Sequence, residues 1–291
     1  MIINDISSNK AGVRPPIDSD YERDVARLYD DKQNDFNLLL GKDTQLVHHH
    51  FGIGDFDRRP GALADEESVQ RRLHELENSQ TDRLLDLLEG FGAEQRIFDG
   101  GSGRGGTAFM AHSRFGCFVE GATISRYQLD FAERQARDRG CDDRVGFNFM
   151  NMLRTGLAPG SFDAALTNET TMYVDDLKPL FREFARIVKI GGRYVFATWA
   201  INETNSDARR LTDAIDDHYV CTMHSRGAYL EALLDAGFIP YSVEQMDAEA
   251  LPYWELRQRS EHRSTIEQLF IDGYRTRSVA YLMIAAERVA R

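Results

Sequence analysis

The sequence predicts an α/β fold: a mostly parallel sheet with helices on both faces, extended by an N-terminal helical cap and by helical insertions. Three observations carry that prediction. From about residue 96 onward, short β-branched or aromatic runs alternate with stretches of helical periodicity, an order that implies crossover connections and a parallel sheet. A glycine-dense turn, Asp99-Gly100-Gly101-Ser102-Gly103-Arg104-Gly105-Gly106, follows the first of those runs and precedes a helix. The 291 residues, 42% of them hydrophobic, suffice for one large domain with insertions.

Residues 1–20, rich in Asn and Ser around Pro15-Pro16, read as a flexible tail. Apolar residues at three- and four-residue spacing from Tyr21 to about Asp30, and again from Glu66 to Leu88, predict amphipathic helices. Residues 21–88 are therefore expected to form a cap and lid, and 89–291 the core. The core opens with the strand RIFDG, followed by a helix to about Phe115, the strand CFVEGAT, a helix from Ser125 to Arg139, and the strands VGFNFM and FDAALT. A helix from Leu177 to Lys189 should end at Gly191-Gly192, a C-cap signal, before the strand RYVFATWA. Helical insertions are expected at about 202–237 and 251–275. Strands near Phe238 to Glu244 and Val279 to Glu287 would close the sheet.

Charge narrows the partners. With 47 acidic against 35 basic residues and a formal charge of −12, the chain lacks the basic face that a nucleic acid or an anionic membrane requires. Cys117, Cys141 and Cys221 are odd in number and form no CxxC pattern, which suits a reducing compartment. No apolar h-region opens the chain, and no stretch approaches the roughly 18 apolar residues of a membrane span. A soluble, cytoplasmic protein acting on a small molecule is expected, and homo-oligomerisation is compatible with the composition.

The glycine turn stands where a fold of this kind binds a nucleotide-like cofactor, because glycines adopt positive φ and let the backbone approach a ligand closely. Asp99, Gly101 and Gly103 are its candidate contacts. Glu120, expected at the end of the next strand, could accept hydrogen bonds from ribose hydroxyls. A nicotinamide dehydrogenase would share this architecture, but the early Asp99 speaks for a methyl donor.

The following segment, Gly121-Ala122-Thr123-Ile124-Ser125-Arg126-Tyr127-Gln128, resembles the GxTxSxxQ stretch of cyclopropane-synthase-like methyltransferases. That resemblance implies a class I methyltransferase Rossmann-like core, with Thr123 and Gln128 at the ribose of S-adenosylmethionine. Asn151, after the third strand, is then expected at the adenine amine and Met152 against the ring, although many such enzymes carry Asp at the first position.

More restricted segments narrow the family. Val47-His48-His49-His50-Phe51-Gly52-Ile53-Gly54, Asn168-Glu169-Thr170-Thr171-Met172-Tyr173-Val174, Cys221-Thr222-Met223-His224-Ser225-Arg226 and Leu251-Pro252-Tyr253-Trp254-Glu255-Leu256-Arg257 together resemble the geranyl diphosphate C-methyltransferases, over nearly the whole chain from Tyr21. The resemblance implies methylation of an alkene carbon of a prenyl diphosphate, most simply C2 of geranyl diphosphate, through a carbocation that is then deprotonated, with Mg²⁺ on the diphosphate. Such chemistry needs a base, aromatic faces and an anion anchor. Glu169, at the carboxyl edge of the sheet, is the candidate base. Phe51, Tyr219 and Tyr173 are candidate cation-stabilising aromatics, and Trp199 a candidate pocket wall. Arg226, Tyr253 and Arg257 are candidate diphosphate donors. The residues of a metal site are not specified, and the His48-His49-His50 run reads as lid material.

Three departures accompany the resemblance. Members of the family generally carry Tyr where this chain has Phe51, Phe where it has Tyr219, and Trp near Leu211. A smaller side chain at the last position could admit a longer prenyl chain. Isopentenyl or farnesyl diphosphate, or another alkene carbon, therefore stands as the rival substrate reading, and a non-catalytic S-adenosylmethionine-binding protein as the rival class.

Overall fold

The computed structural model describes residues 17–290. Of the tail expected over residues 1–20, residues 1–16 lie outside them, and Asp20 already belongs to the first helix. The cap comprises α1 (Asp20–Asp31), α2 (Phe36–Leu40) and α3 (Glu66–Asp86). Each begins at a side chain that accepts an otherwise unpaired backbone N–H: Ser19 takes Glu22, Asp35 takes Leu38 and Asp65 takes Ser68. The long α3 buries Val69, Leu73, Leu76, Leu84 and Leu85, as its periodicity requires, but it also buries Glu77, Gln80 and Thr81. Buried polar groups need partners, and theirs lie at the site described below.

The core runs β1 (Arg96–Gly100), α4 (Gly106–Phe115), β2 (Phe118–Thr123), α5 (Arg126–Asp138), β3 (Val145–Phe149), β4 (Phe162–Asn168), α6 (Leu177–Ile187), β5 (Val188–Ile201), α7 (Ala208–Tyr219), α8 (Arg226–Ala236), β6 (Phe238–Gln245), α9 (Asp247–Arg257), α10 (Ile266–Arg275) and β7 (Val279–Arg288). The sheet order is β3-β2-β1-β4-β5-β7-β6, with β1 to β5 parallel and β7 antiparallel to both its neighbours. Side chains alternate between two faces: Ile97 and Val195 join a core with α3 and α4, while Phe98, Tyr194 and Phe196 join one with α6 and α8.

Two expectations need correction. α6 ends at Ile187, not at the glycine pair, and β5 begins at once. Between Val188 and Arg193 the strand advances five residues while its partner advances two, from Phe162 to Ala164, so Gly191-Gly192 serves a bulge. Gly191 supplies the positive φ of 78° that this bend needs. The expected insertion over 202–237 is half core: Tyr229 and Leu233 of α8 pack with α6 under the sheet, and α7 alone lies with α9 and α10 over its carboxyl edge. No described helix is long and apolar enough to cross a membrane.

Candidate active site

At the carboxyl edge of β1, β2 and β4, the chain turns through Gly101, Gly103 and Gly105, with φ of 79°, 55° and 89°. A Cβ on Gly101 would fall 2.1 Å from the Thr170 methyl, so bulk there is excluded. Beside this loop lies a cleft of about 710 Å³ lined by Gly101, Gly103, Thr123, Gln128, Asn151, Met152 and Glu169 from the core, and by Glu22, Tyr29 and His49 from the cap. Asp99 is buried beneath the loop, and one carboxylate oxygen has no partner among the described residues. Burial alone raises its pKa to about 7. An orphaned acid under a glycine loop suits a cationic amino-acid end, and the cleft fits a donor that carries one.

Thr123 donates to the Gln128 carbonyl at 2.8 Å, which leaves the Gln128 amide nitrogen beside Gly103 to face the cleft. Asn151 lines the cleft, but its amide donates to Glu22 at 2.9 Å and its oxygen accepts from the Leu153 N–H. Its side chain secures α1 over the cleft instead of presenting both ends to a base. Met152 lines the cleft.

A second cavity, about 820 Å³, opens from the first between the cap and α7, α9 and α10. Phe51, Trp199, Tyr219 and Tyr173 wall it, and Lys32 and Arg257 line it as well. Phe51 stacks on Trp199 at 5.3 Å and meets Tyr219 edge-on at 6.0 Å. Arg257 donates through Nε to the buried Glu267 at 3.1 Å, and one terminal nitrogen remains without a partner.

Glu169 lies where the two cavities meet. Its backbone is in the left-handed region, φ 52°, a conformation that a non-glycine residue adopts only under constraint. The carboxylate is buried: Oε1 accepts from the Phe51 N–H at 3.0 Å and the Tyr281 hydroxyl at 2.7 Å, while Oε2 has no partner among the described residues. Desolvation raises its pKa to about 8. The donated bonds from Tyr281 and Phe51, and the nearby Trp199 indole, offset part of that rise.

Three expected site residues lie elsewhere. Glu120 is not at the strand end, because β2 continues to Thr123; it pairs with Arg96 at 3.3 Å in a separate recess. Arg226 is the exposed first residue of α8, after its cap Ser225, and lines neither cavity. Tyr253 is fully buried and its hydroxyl is committed to Glu77 at 2.9 Å, so it packs beneath Phe51 instead of reaching an anion. Leu211 packs beside Gly273 and lines neither cavity, so its size does not set the cavity's depth directly.

His48 and His50 face inward, bonded to each other at 3.0 Å and to Asn78 and Thr81 at 2.9 and 2.8 Å. His49 and Phe51 therefore face the cavities, as alternation along an extended segment dictates. The described residues contain no group of three or more His, Cys, Asp or Glu placed to hold a metal.

The methyltransferase domain family matches residues 98–196, the glycine loop to β5. The chain is 43% identical over 272 residues to the geranyl diphosphate 2-C-methyltransferase of Saccharopolyspora erythraea, covering 92% of this chain and 95% of that one. It belongs to the geranyl diphosphate 2-C-methyltransferase family. The family member of Streptomyces lasalocidi is 41% identical, over 97% of this chain and 95% of its own. A solved family structure from Streptomyces coelicolor, in complex with Mg²⁺, geranyl-S-thiolodiphosphate and S-adenosyl-L-homocysteine, superposes with a TM-score of 0.91 at 41% identity, covering 94% of this chain and all of that one.

Against that family background, sequence reasoning missed Tyr281, Gln80, Tyr29 and Lys32, and read His49 only as part of a lid. Tyr281 is the instructive case: it is a hydroxyl inside the otherwise apolar run VAYLMIAA of β7, paired in register with Trp199, and it holds the Glu169 carboxylate. Gln80 in turn donates to Tyr281 at 2.9 Å and bonds Asn168. A lone polar atom in a buried strand was the available signal.

Proposed function

We propose that the chain transfers the methyl group of S-adenosylmethionine to C2 of geranyl diphosphate, and that Glu169 accepts the proton released from the methylated carbon. When bound, the sulfonium donor would supply an electrophilic methyl: the alkene π electrons form the new C–C bond as the S–CH3 bond breaks, its electron pair passing to sulfur and S-adenosylhomocysteine leaving. The adjacent tertiary carbon is left cationic, and loss of the proton from the methylated carbon returns the electron pair to the double bond. The observation that supports the assignment is Oε2 of Glu169, an unpartnered carboxylate oxygen at the junction of the two cavities.

The remaining residues bind, orient and shield. Phe51, Trp199, Tyr219 and Tyr173 present aromatic faces that attract a cation without adding a nucleophile. Arg257, with its unpartnered nitrogen, and the half-enclosed Lys32 supply positive charge for the diphosphate. Mg²⁺ keeps several waters and favours phosphate oxygens, so the diphosphate is its principal ligand. In an acidic chain that added charge matters.

Glu169→Gln tests the base. The amide keeps the size of the side chain and removes its basicity. Turnover should fall roughly 100- to 10,000-fold with donor and substrate affinity nearly unchanged, and products with a shifted double bond or a hydroxyl should appear. A lowered melting temperature with activity proportional to the folded fraction would instead mark a structural carboxylate. Turning over C5, C10 and C15 diphosphates with labelled donor, followed by mass spectrometry, separates geranyl diphosphate from its rivals.

A further inference from the structure

We propose that His49 binds the methyl donor, its Nε2–H donating a hydrogen bond to the donor's α-carboxylate. The inference rests on the glycine-loop cleft being the donor pocket. His49 borders the donor cleft, the aromatic cavity and a smaller recess under the glycine loop, and it is the one described residue that lines all three. Its Nδ1 lies 3.2 Å from the Asn37 amide nitrogen, which can only donate, and 3.9 Å from Asp35 Oδ2; with the amide donating, the ring hydrogen sits on Nε2. That Nε2 is shut off from solvent and has no partner among the described residues.

The position points to one end of the donor. A Cβ built on Gly103 would lie 3.4 Å from His49 Cδ2, the carbon bonded to Nε2, so the ring edge faces the glycine loop. The recess there is lined by Asp99, Gly101, Gly103, Arg104 and His49. It offers one orphaned acceptor, on Asp99, and two orphaned donors, His49 Nε2 and Arg104 Nε. An α-ammonium with an α-carboxylate is the complement of that set: the ammonium donates to Asp99, and the carboxylate accepts from His49, with Arg104 Nε as a second donor. The terminal nitrogens of Arg104 are committed to Asp35 and the Lys32 carbonyl, and its charge adds positive potential. Burial, with Arg104 and Lys32 nearby, holds the His49 pKa well below its ordinary value, so the ring acts as a neutral donor.

The arrangement also links the two cavities. Asn37, which holds the His49 tautomer, lines the aromatic cavity and not the donor cleft.

Calorimetry with two probes tests the assignment: S-adenosylhomocysteine, and the same thioether without its carboxylate, 5′-deoxy-5′-(3-aminopropylthio)adenosine. A hydrogen bond to a charged group implies that His49→Ala loses roughly 10- to 100-fold affinity for the first and little for the second. His49→Gln, whose amide can still donate, should recover most of that loss. Equal losses for both probes, with no recovery in His49→Gln, would make His49 scaffold and overturn the proposal. So would unchanged discrimination, or a defect confined to the KM for geranyl diphosphate. Wild-type binding of S-adenosylhomocysteine that survives Gly103→Val in a folded protein overturns the pocket reading itself, and the His49 assignment with it.

Discussion

At the scale of single residues, the proposed role of Glu169 as the base predicts how the reaction responds to pH. A carboxyl whose pKa is raised to about 8 is mostly protonated at neutral pH, and only its ionised form accepts a proton. The rate should therefore rise with pH and level off above that value, in a profile that Glu169→Gln abolishes. Tyr281 donates to the ionised form, so Tyr281→Phe should move the profile to higher pH and lower turnover roughly tenfold at neutral pH. An unmoved profile would separate Tyr281 from the base. Glu169 itself was legible in the sequence, because the end of a parallel strand is where this fold places ligands. Tyr281 was not, since its partner lies 112 positions away and no local pattern links them. Tyr253 failed for the opposite reason: it stands in a family-like segment, but its hydroxyl faces the buried Glu77.

At the scale of elements, the cap is held to the core by polar contacts across the donor cleft. Glu22 of α1 accepts from Asn151, and Asp30 of α1 accepts from the Ser125 hydroxyl at 2.7 Å. This gives a physical reason for Asn at a position where many relatives of the wider class carry Asp: a second carboxylate would stand against Glu22. Asn151→Asp should cost about 1–3 kcal/mol, lower Tm by a few degrees and weaken donor binding, with the defect reduced when Glu22→Gln is added. No reduction in the double variant would show that the two side chains are not coupled. From β1 to β4, and for α1, α3, β6 and β7, the elements were readable to within a residue or two, because their periods and caps are local, whereas α2 was not expected and α7 to α10 were read only as two undivided helical insertions. The α6–β5 boundary was not: a glycine pair marks a cap or a bulge equally well, and only pairing with β4 decides.

At the scale of the whole molecule, the site stores two buried acids before any ligand arrives. The pKa of Asp99 is raised to about 7 and that of Glu169 to about 8, so each binds its proton more tightly folded than unfolded. The sign follows: their contribution is fully present below their ordinary values near 4 and is lost as pH rises through 7 and 8. Burial lowers the pKa of His48, His49 and His50, which acts in the opposite sense over the same range, so comparison of proteins isolates the acid: from pH 5 to pH 8 the ligand-free wild type should lose more Tm, or gain less, than Asp99→Asn, a variant that also loses donor affinity. Equal changes in the two proteins would refute the linkage. The fold class was legible as a whole from alternation and the glycine turn. The aromatic walls of the second cavity were named through the family resemblance, but its enclosure was not legible, because it is assembled from α1, α2, the 49–51 segment, α7, α9 and α10, which share no motif. Its assembly also has an order in time. Glu169 and the hydroxyl that holds it are made 112 residues apart, an interval of about 6–20 s at ordinary rates of synthesis. A nascent chain that has folded its first five strands still lacks the antiparallel β7, which carries that hydroxyl and separates β5 from β6. The glycine-loop cleft can form while the chain is being translated, but the proposed base is fixed only after nearly the whole described chain has emerged.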